Sequence, residues 1–220
     1  MKKSAMFFAF ILVVSSFAFA AEEKWFSSGY QQAFFMGTYV DNGAVIDTYT
    51  ESRGVNLSSH NFFAGNVGMF THASFLLQNK GWMHDSNGLS AINFDDYATN
   101  FQTGLITGIA FKSNFTNFMK TYFGIGVNYL MTSAFYPGLG NTSYNEMSFN
   151  IGMGVDAGFK ADLTDRFFVK LGSTFTFDLA RYTSLDVYTG MKRIDSFSGW
   201  ERDFLMLGAS PYLSVGINLF

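Results

Sequence analysis

The sequence predicts an all-β fold, an eight-stranded antiparallel up-and-down barrel that crosses a membrane. Three observations support this prediction. Apolar and polar residues alternate over long segments, as they do in strands whose two faces meet different surroundings. The segments are separated by alternately short and long connections. Hydrophobic residues make up 48% of the chain and charged residues only 14%, against roughly 25% in a soluble domain.

The first 20 residues have the pattern of a cleaved export signal. Lys2 and Lys3 precede an apolar run from Met6 to Val14, and small residues lie on either side of Phe19. We predict cleavage after residue 20, which leaves residues 21–220 as one barrel domain. The apolar run is short for a membrane-spanning helix of about 20 residues, so a retained anchor is the minor alternative. Losing both lysines changes the formal net charge from -3 to -5, which offers nucleic acid no basic surface.

The segment 146–160 shows the alternation most clearly. Its odd-numbered residues are all apolar, whereas its even-numbered residues are polar or glycine. Because successive side chains of a strand point to opposite faces, one face of this strand is wholly apolar. The same phase recurs in segments 100–111, 119–131 and 167–179. Four segments in one phase predict long, two-faced strands.

Eight candidate strands follow from this pattern, at 26–40, 61–70, 74–80, 100–111, 118–131, 146–160, 167–182 and 204–220. The third is the weakest because it has no clean phase. Short turns are predicted at 71–73, 112–117 and 161–165, and long loops at 41–60, 81–99, 133–145 and 183–203. Short turns on one side and long loops on the other are typical of barrels with periplasmic turns and extracellular loops.

The apolar face is predicted to contact lipid. In the four clearest strands the charged residues lie on the opposite face or at strand ends, together with most of the glycines. A soluble sandwich would place its apolar face inward and its charges outward. The interior of an eight-stranded barrel is barely wide enough for side chains, so glycines relieve crowding there. Closure also pairs every backbone donor and acceptor, as hydrocarbon requires.

The chain resembles the small eight-stranded outer-membrane barrels of bacteria, which include OmpW-like, OmpA-type and OmpX-type proteins. The resemblance rests on the export signal, the strand count, the alternating connections and the C-terminal sequence PYLSVGINLF. It implies location in the bacterial outer membrane, contact with its lipids, and insertion by the barrel-assembly machinery. Tyr212 and Phe220 would then belong to the C-terminal assembly signal. Phe220 departs from the family pattern, because it is out of phase with the apolar residues of its strand.

Seven polar residues are predicted to face the lumen: Lys120, Asn128, Asn150, Asp156, Lys160, Lys170 and Asp178. Two roles are open for them, a satisfied polar core and the lining of a solute path. If the turn after Lys160 is centred near Leu163, Asp156 and Lys170 face each other across adjacent strands as an internal ion pair. Basic residues gather toward the short turns and acidic residues in the long loops.

Pro211 is the sharpest local anomaly, because proline withholds a hydrogen bond from the closing strand. It marks either the start of the membrane-embedded strand or a defect in the barrel wall. The first is the commoner circumstance for a proline in a strand. The second is the functional reading, because the OmpW-like barrels that the chain resembles are thought to release apolar solutes sideways through such a gap.

No motif in the chain indicates catalysis or a cofactor. The absence of cysteine excludes disulfides, thiolate metal sites and a cysteine nucleophile. His60, His72 and His84 lack metal-binding spacing and are predicted to lie in two loops and a turn, so neither a metal site nor an enzyme is expected. By the resemblance we predict a narrow conduit for small hydrophobic molecules. The alternative is a plugged barrel whose loops bind a surface ligand in adhesion or serve envelope structure.

Overall fold

A computed structural model describes residues 23–219 except Asn42, Leu139 and Arg202. The strands are β1 (Glu23–Asp41), β2 (Ala44–Ala64), β3 (Val67–Asp85), β4 (Gly88–Ile92), β5 (Thr99–Asn114), β6 (Met119–Pro137), β7 (Thr142–Asp162), β8 (Phe167–Thr189), β9 (Lys192–Trp200) and β10 (Leu205–Leu219). A single 3₁₀ turn covers Phe94–Asp96. Within the described residues, no helix is long and apolar enough to span a membrane.

Eight of these strands close into an antiparallel ring in the order β1-β2-β3-β5-β6-β7-β8-β10. The ring closes because β10 pairs with both β1 and β8. Strand β4 pairs with the loop-end part of β3, and β9 pairs with the loop-end part of β8. Each pair forms a hairpin above the ring. The fold class predicted from the sequence is therefore confirmed.

The two ends of the barrel differ. At one end, here called the short-turn end, β2–β3, β5–β6 and β7–β8 are joined by two to four residues, and β1 starts beside the end of β10. Gly65 makes the β2–β3 turn possible, since its φ of 61° lies in the left-handed region. At the opposite loop end, the strands continue as long hairpins.

The alternation sorts side chains as the sequence predicted. On β7, Met153 is 54% exposed on the outer surface, whereas Asn150 and Asp156 are 3% and 0% exposed inside. The outer surface carries further exposed apolar side chains around the ring, such as Ile109, Leu171 and Val215. This inversion of the usual soluble pattern is the arrangement of a barrel that faces lipid.

Three predicted boundaries in the first third of the chain are wrong. The segment 41–60 is no long loop, because β2 begins at Ala44. The candidate strand 61–70 straddles the turn at Gly65, and the predicted turn 71–73 lies inside β3. The loop-end segments 81–99, 133–145 and 183–203 are also largely strand. Beyond the apolar belt water can meet both faces of a hairpin, so backbone pairing continues without any alternation to reveal it.

Candidate functional site

Aromatic side chains fill the lumen near the short-turn end. This cluster, which we call the lumen plug, packs a ring of bulky residues from the surrounding strands across the interior. Trp25 is its centre, with ring centroids 4.7 Å from Phe62 and 6.4 Å from Phe168. Its members are Trp25, Phe62, Phe70, Ile106, Ala110, Tyr122, Phe168 and Tyr212. Each is at most 4% exposed, so the plug leaves no route for solute along the axis at this level.

Asp156 is the polar centre of the plug. The Tyr212 hydroxyl donates to its Oδ1 atom at 2.5 Å, and Tyr122 in turn contacts the Tyr212 hydroxyl. Nε2 of His60 and Nδ1 of His72 lie 3.5 and 3.6 Å from its Oδ2 atom. Burial of this carboxylate is tolerable because hydroxyl and imidazole groups surround it.

The predicted direct pair between Asp156 and Lys170 is wrong. The β7–β8 register places Asp156 opposite Thr174 and Lys170 opposite Lys160, because the turn is centred two residues later than assumed. Nζ of Lys170 instead donates to Oγ of Ser58 at 3.0 Å and lies 4.4 Å from the Tyr122 ring centroid. Both charges are fully buried in the same plug, so they still interact through a poorly screened interior.

A second set of charges closes the short-turn end. Glu23 forms ion pairs with Lys112 and Lys120, and Lys160 pairs with Asp162. Nζ of Lys160 also lies 4.8 Å from the Trp25 ring centroid. These contacts cover the lumen plug from below and tie β1, β5, β6 and β7 together.

The remaining predicted lumen residues lie inside the barrel as well. Asn128 donates from Nδ2 to Oδ1 of Asp178 at 2.7 Å, and both residues are buried. Asn150 lies nearer the loop end, where its Nδ2 contacts Sδ of Met206 at 3.7 Å. Tyr212 is a member of the plug. Phe220, the other residue assigned to an assembly signal, lies outside the described residues, as does the export signal 1–20.

The positions expected for two histidines are wrong. His60 and His72 lie in strands β2 and β3 and meet inside the plug, whereas His84 is near the loop end of β3. Within the described ranges, no group of three or more His, Cys, Asp or Glu residues is arranged to hold a metal ion. Both buried histidines are at most 2% exposed, which keeps solvent and solutes away from them.

Sequence reasoning missed these histidines as lumen residues, whereas the alternation in 119–131 already puts Tyr122 on the inner face. The signal was the parity of β2, in which Ser52, Asn56 and His60 share the even-numbered inner face. A turn assigned at Gly65 would have joined 44–64 into one strand and revealed that parity.

A cavity opens above the plug toward the loop end. Its deep lobe, of about 410 Å³, has Phe35, Gln102, Asn150 and Met206 at its base and Tyr97 and Tyr136 higher up. A side lobe of about 780 Å³ lies under the β8–β9 hairpin, between Thr183 and Trp200. The two lobes share Tyr39, Glu146 and Arg181, and we call them together the vestibule.

The wall between β1 and β10 is interrupted at Pro211. The register runs from Lys24 opposite Leu219 to Gln31 opposite Tyr212 and resumes at Phe34 opposite Ala209. In the described β1–β10 ladder, the two intervening residue pairs are therefore missing. We call these four residues the seam; they are Gln32, Ala33, Ser210 and Pro211. Pro211 remains paired with Ser173 of β8, so the strand does not start there.

An apolar groove of about 460 Å³ lies on the outer surface beside the seam. Its lining includes Phe34, Phe175, Leu207 and Ala209. Gly208 separates this groove from the vestibule, and a Cβ atom there would lie 2.8 Å from the Phe35 ring. The wall is thus only backbone-thick where the inner and outer apolar surfaces approach each other.

The fold is similar to that of solved bacterial outer-membrane proteins. The outer membrane protein OprG from Pseudomonas aeruginosa is 14% identical with a TM-score of 0.58, and the match covers 90% of this chain and 96% of that one. A major outer membrane protein from Thermus thermophilus is 9% identical with a TM-score of 0.52, covering 87% and 99%. No family model and no curated protein matches the sequence. The likeness confirms the fold of a small bacterial outer-membrane barrel.

Proposed function

We propose that this chain, whose fold is that of the small outer-membrane barrels, resides in the bacterial outer membrane as a conduit for small apolar molecules. Solute enters the vestibule from outside and leaves sideways through the seam into the lipid. The observation that carries the proposal is the alignment of three features on one stretch of wall: the vestibule inside, the interrupted ladder at Pro211, and the apolar groove outside.

The lumen plug supports a sideways route over an axial one. Trp25, Phe168 and the buried charges around Asp156 fill the interior below the vestibule. An axial route would carry an apolar solute past the buried charges of Asp156 and Lys170 and away from the surrounding lipid. The seam instead lies next to Phe35 of the deep lobe, and its neighbours Phe34 and Ala209 line the apolar groove outside.

A cross-link across the seam tests the proposal. The chain has no cysteine, so Phe34→Cys and Ala209→Cys introduce one pair of facing thiols on the outer surface beside the seam. The matched control pairs Phe26→Cys with Ile217→Cys, which face each other on the same two strands where the ladder is intact. Uptake of N-phenyl-1-naphthylamine is measured in cells with an intact lipopolysaccharide leaflet, which blocks this dye.

Oxidation of the seam pair should slow uptake and reduction should restore it, while the control pair changes nothing. Equal uptake in oxidised and reduced seam variants would exclude the sideways route, because the disulfide prevents the strands from parting.

A second candidate function, contact with a partner at the cell surface, is favoured by the β8–β9 hairpin. Its residues Met191, Ile194 and Phe197 are apolar and 103%, 57% and 57% exposed. Exposed apolar groups on a projecting hairpin suit a binding surface. Met191→Ser with Ile194→Ser should abolish surface adhesion and preserve dye uptake if this second role holds. Unchanged adhesion of this double variant would exclude a role of the hairpin in surface contact.

A further inference from the structure

We infer that the vestibule selects amphipathic amines, with the ammonium group near the unpartnered Oδ1 atom of Asn150, in the negative field of Glu146 and Asp178, and the alkyl chain against the aromatic wall. This inference rests on the proposed function, because it names the class of solute that the vestibule admits. Three features of the vestibule support it: unpartnered acceptors, an excess of negative charge, and a row of aromatic rings.

The base of the deep lobe holds an acceptor without a donor. Asn150 is 3% exposed and lines the lobe, and its Oδ1 atom is buried without a hydrogen-bond partner. Its nitrogen is turned toward Sδ of Met206, which is a weak acceptor, so the oxygen is the side of the amide that a ligand can use. A buried carbonyl oxygen without a donor is costly, and a ligand N–H group relieves that cost.

A buried carboxylate lies one layer below. Asp178 is the Cα partner of Met206 across β8 and β10, and it is fully buried. Oδ1 of Asp178 accepts from Asn128, but Oδ2 is buried without a hydrogen-bond partner. No described Lys or Arg lies within ion-pair distance of it. Its charge therefore adds to the negative potential at the base of the vestibule.

The one arginine of the described vestibule lining is already occupied. Nη2 of Arg181 lies 3.3 Å from Oε1 of Glu146, and its Nε lies 3.5 Å from Oε1 of Glu201. The rings of Tyr39 and Phe204 cover its guanidinium, with centroids 5.8 and 5.6 Å away. An anionic ligand would therefore have to displace a carboxylate to reach this cation.

The charges around the vestibule sum to a negative value. Glu146, Glu201 and Asp203 line it against the single charge of Arg181. Oε2 of Glu201 is also buried without a hydrogen-bond partner. Negative potential inside a low-dielectric opening favours cationic solutes and disfavours anionic ones.

Aromatic rings form a row along the wall of the deep lobe. Ring centroids lie 5.1 Å apart for Phe94 and Tyr97 and 4.8 Å apart for Tyr97 and Tyr136, and all three rings line the lobe. Burial, assisted by the charge of Glu146, raises the pKa of Tyr97, so its phenol stays neutral at physiological pH. Such rings pack against an alkyl chain, and their faces attract an ammonium group.

Binding of three probes with one alkyl chain tests the inference. Hexylammonium, hexanol and hexanoate are titrated by calorimetry into the refolded barrel in detergent, with detergent blanks subtracted. Hexylammonium should bind about tenfold more tightly than hexanol, the factor expected for one hydrogen bond from a charged donor. Hexanoate should bind more weakly than both.

Glu146→Gln and Asn150→Leu should each weaken hexylammonium binding about five- to tenfold, and Glu146→Gln should leave hexanol nearly unchanged. Asp195→Asn is the matched control, because it removes one acidic charge from exposed strand β9 outside the vestibule lining. Heat-modifiable gel mobility establishes that each variant is folded. Should Asn150→Leu fail to fold, Glu146→Gln carries the test.

Equal affinities for hexylammonium and hexanol would overturn the inference, as would an equal loss in Glu146→Gln and Asp195→Asn. The two proposals fail separately. A preference for the amine without any effect of the seam cross-link on dye uptake would refute only the sideways conduit. Cross-link-sensitive uptake without that preference would refute only amine selection.

Discussion

Replacing Asp156 with alanine should destabilise the barrel more than most single changes. Its carboxylate is fully buried, accepts a hydrogen bond from Tyr212 and lies beside His60 and His72. Lys170 is also fully buried, and it interacts electrostatically with Asp156 inside the plug. The Asp156→Ala variant therefore leaves an uncompensated cation in the plug.

The size of the loss follows from that cation. Removing one partner of a buried ion pair costs about 3–5 kcal/mol. Asp156 and Lys170 are not in direct contact, which places the expected loss toward the lower end of this range, whereas the Tyr212 hydroxyl loses its acceptor and adds to the loss. We expect the free energy of unfolding to fall by about 3–5 kcal/mol. A second change, Lys170→Met, should recover most of this loss, because the double variant has no unpaired charge.

Urea unfolding in phospholipid vesicles measures the effect, with tryptophan fluorescence as the signal. Trp25 lies in the plug and reports its opening. The exposed carboxylate of Asp195 provides the control, and Asp195→Asn should change stability by less than about 0.5 kcal/mol. A loss below about 1 kcal/mol in Asp156→Ala, or a double variant no more stable than the single one, would refute the reasoning.

Three further predictions concern the lipid face, the lumen packing and the short-turn end. Met153→Lys should lower the free energy of unfolding in vesicles by about 2–4 kcal/mol, because it places a charge in hydrocarbon, whereas Ile194→Lys on exposed β9 should have no effect. Gly124→Ala should cost about 1–3 kcal/mol in the same assay, since a Cβ atom there would lie 2.6 Å from the Phe70 ring. Glu23→Gln should lower the free energy of unfolding by about 1–3 kcal/mol, because it weakens the hydrogen bonds from two lysines. An unchanged free energy of unfolding would show that the short-turn end is frayed in the native barrel.

From β5 onward the alternation predicted the strands that cross the apolar belt and their inner faces, whereas it missed most of β2 and divided β3. Asn150 and Asp156 lie inside and Met153 outside because hydrocarbon on one side and a packed lumen on the other impose a two-residue period. Past the belt, as in β4 and β9, water can solvate both faces. The period then disappears although the strand does not, which explains the misplaced loops at 81–99 and 183–203.

The candidate site was less accessible to sequence reasoning. Pro211 was recognised as an anomaly, but its neighbours across the seam depend on the pairing of β10 with β1, the first and last strands of the ring. The vestibule likewise draws Glu146, Arg181 and Tyr39 from three different strands. Local patterns carry no information about which distant residues meet.

From β5 onward the sequence by itself determined which side chains face lipid and which face inward, since that choice follows from the surroundings on each side of a strand. Only the tertiary structure decided which inward residues touch, because closure of the ring fixes the stagger of all strands together. A turn centred two residues later changed the partner of Asp156 from Lys170 to Thr174 and brought two histidines and a tyrosine around one carboxylate. Contacts across a barrel are set by register, and register is a property of the closed sheet.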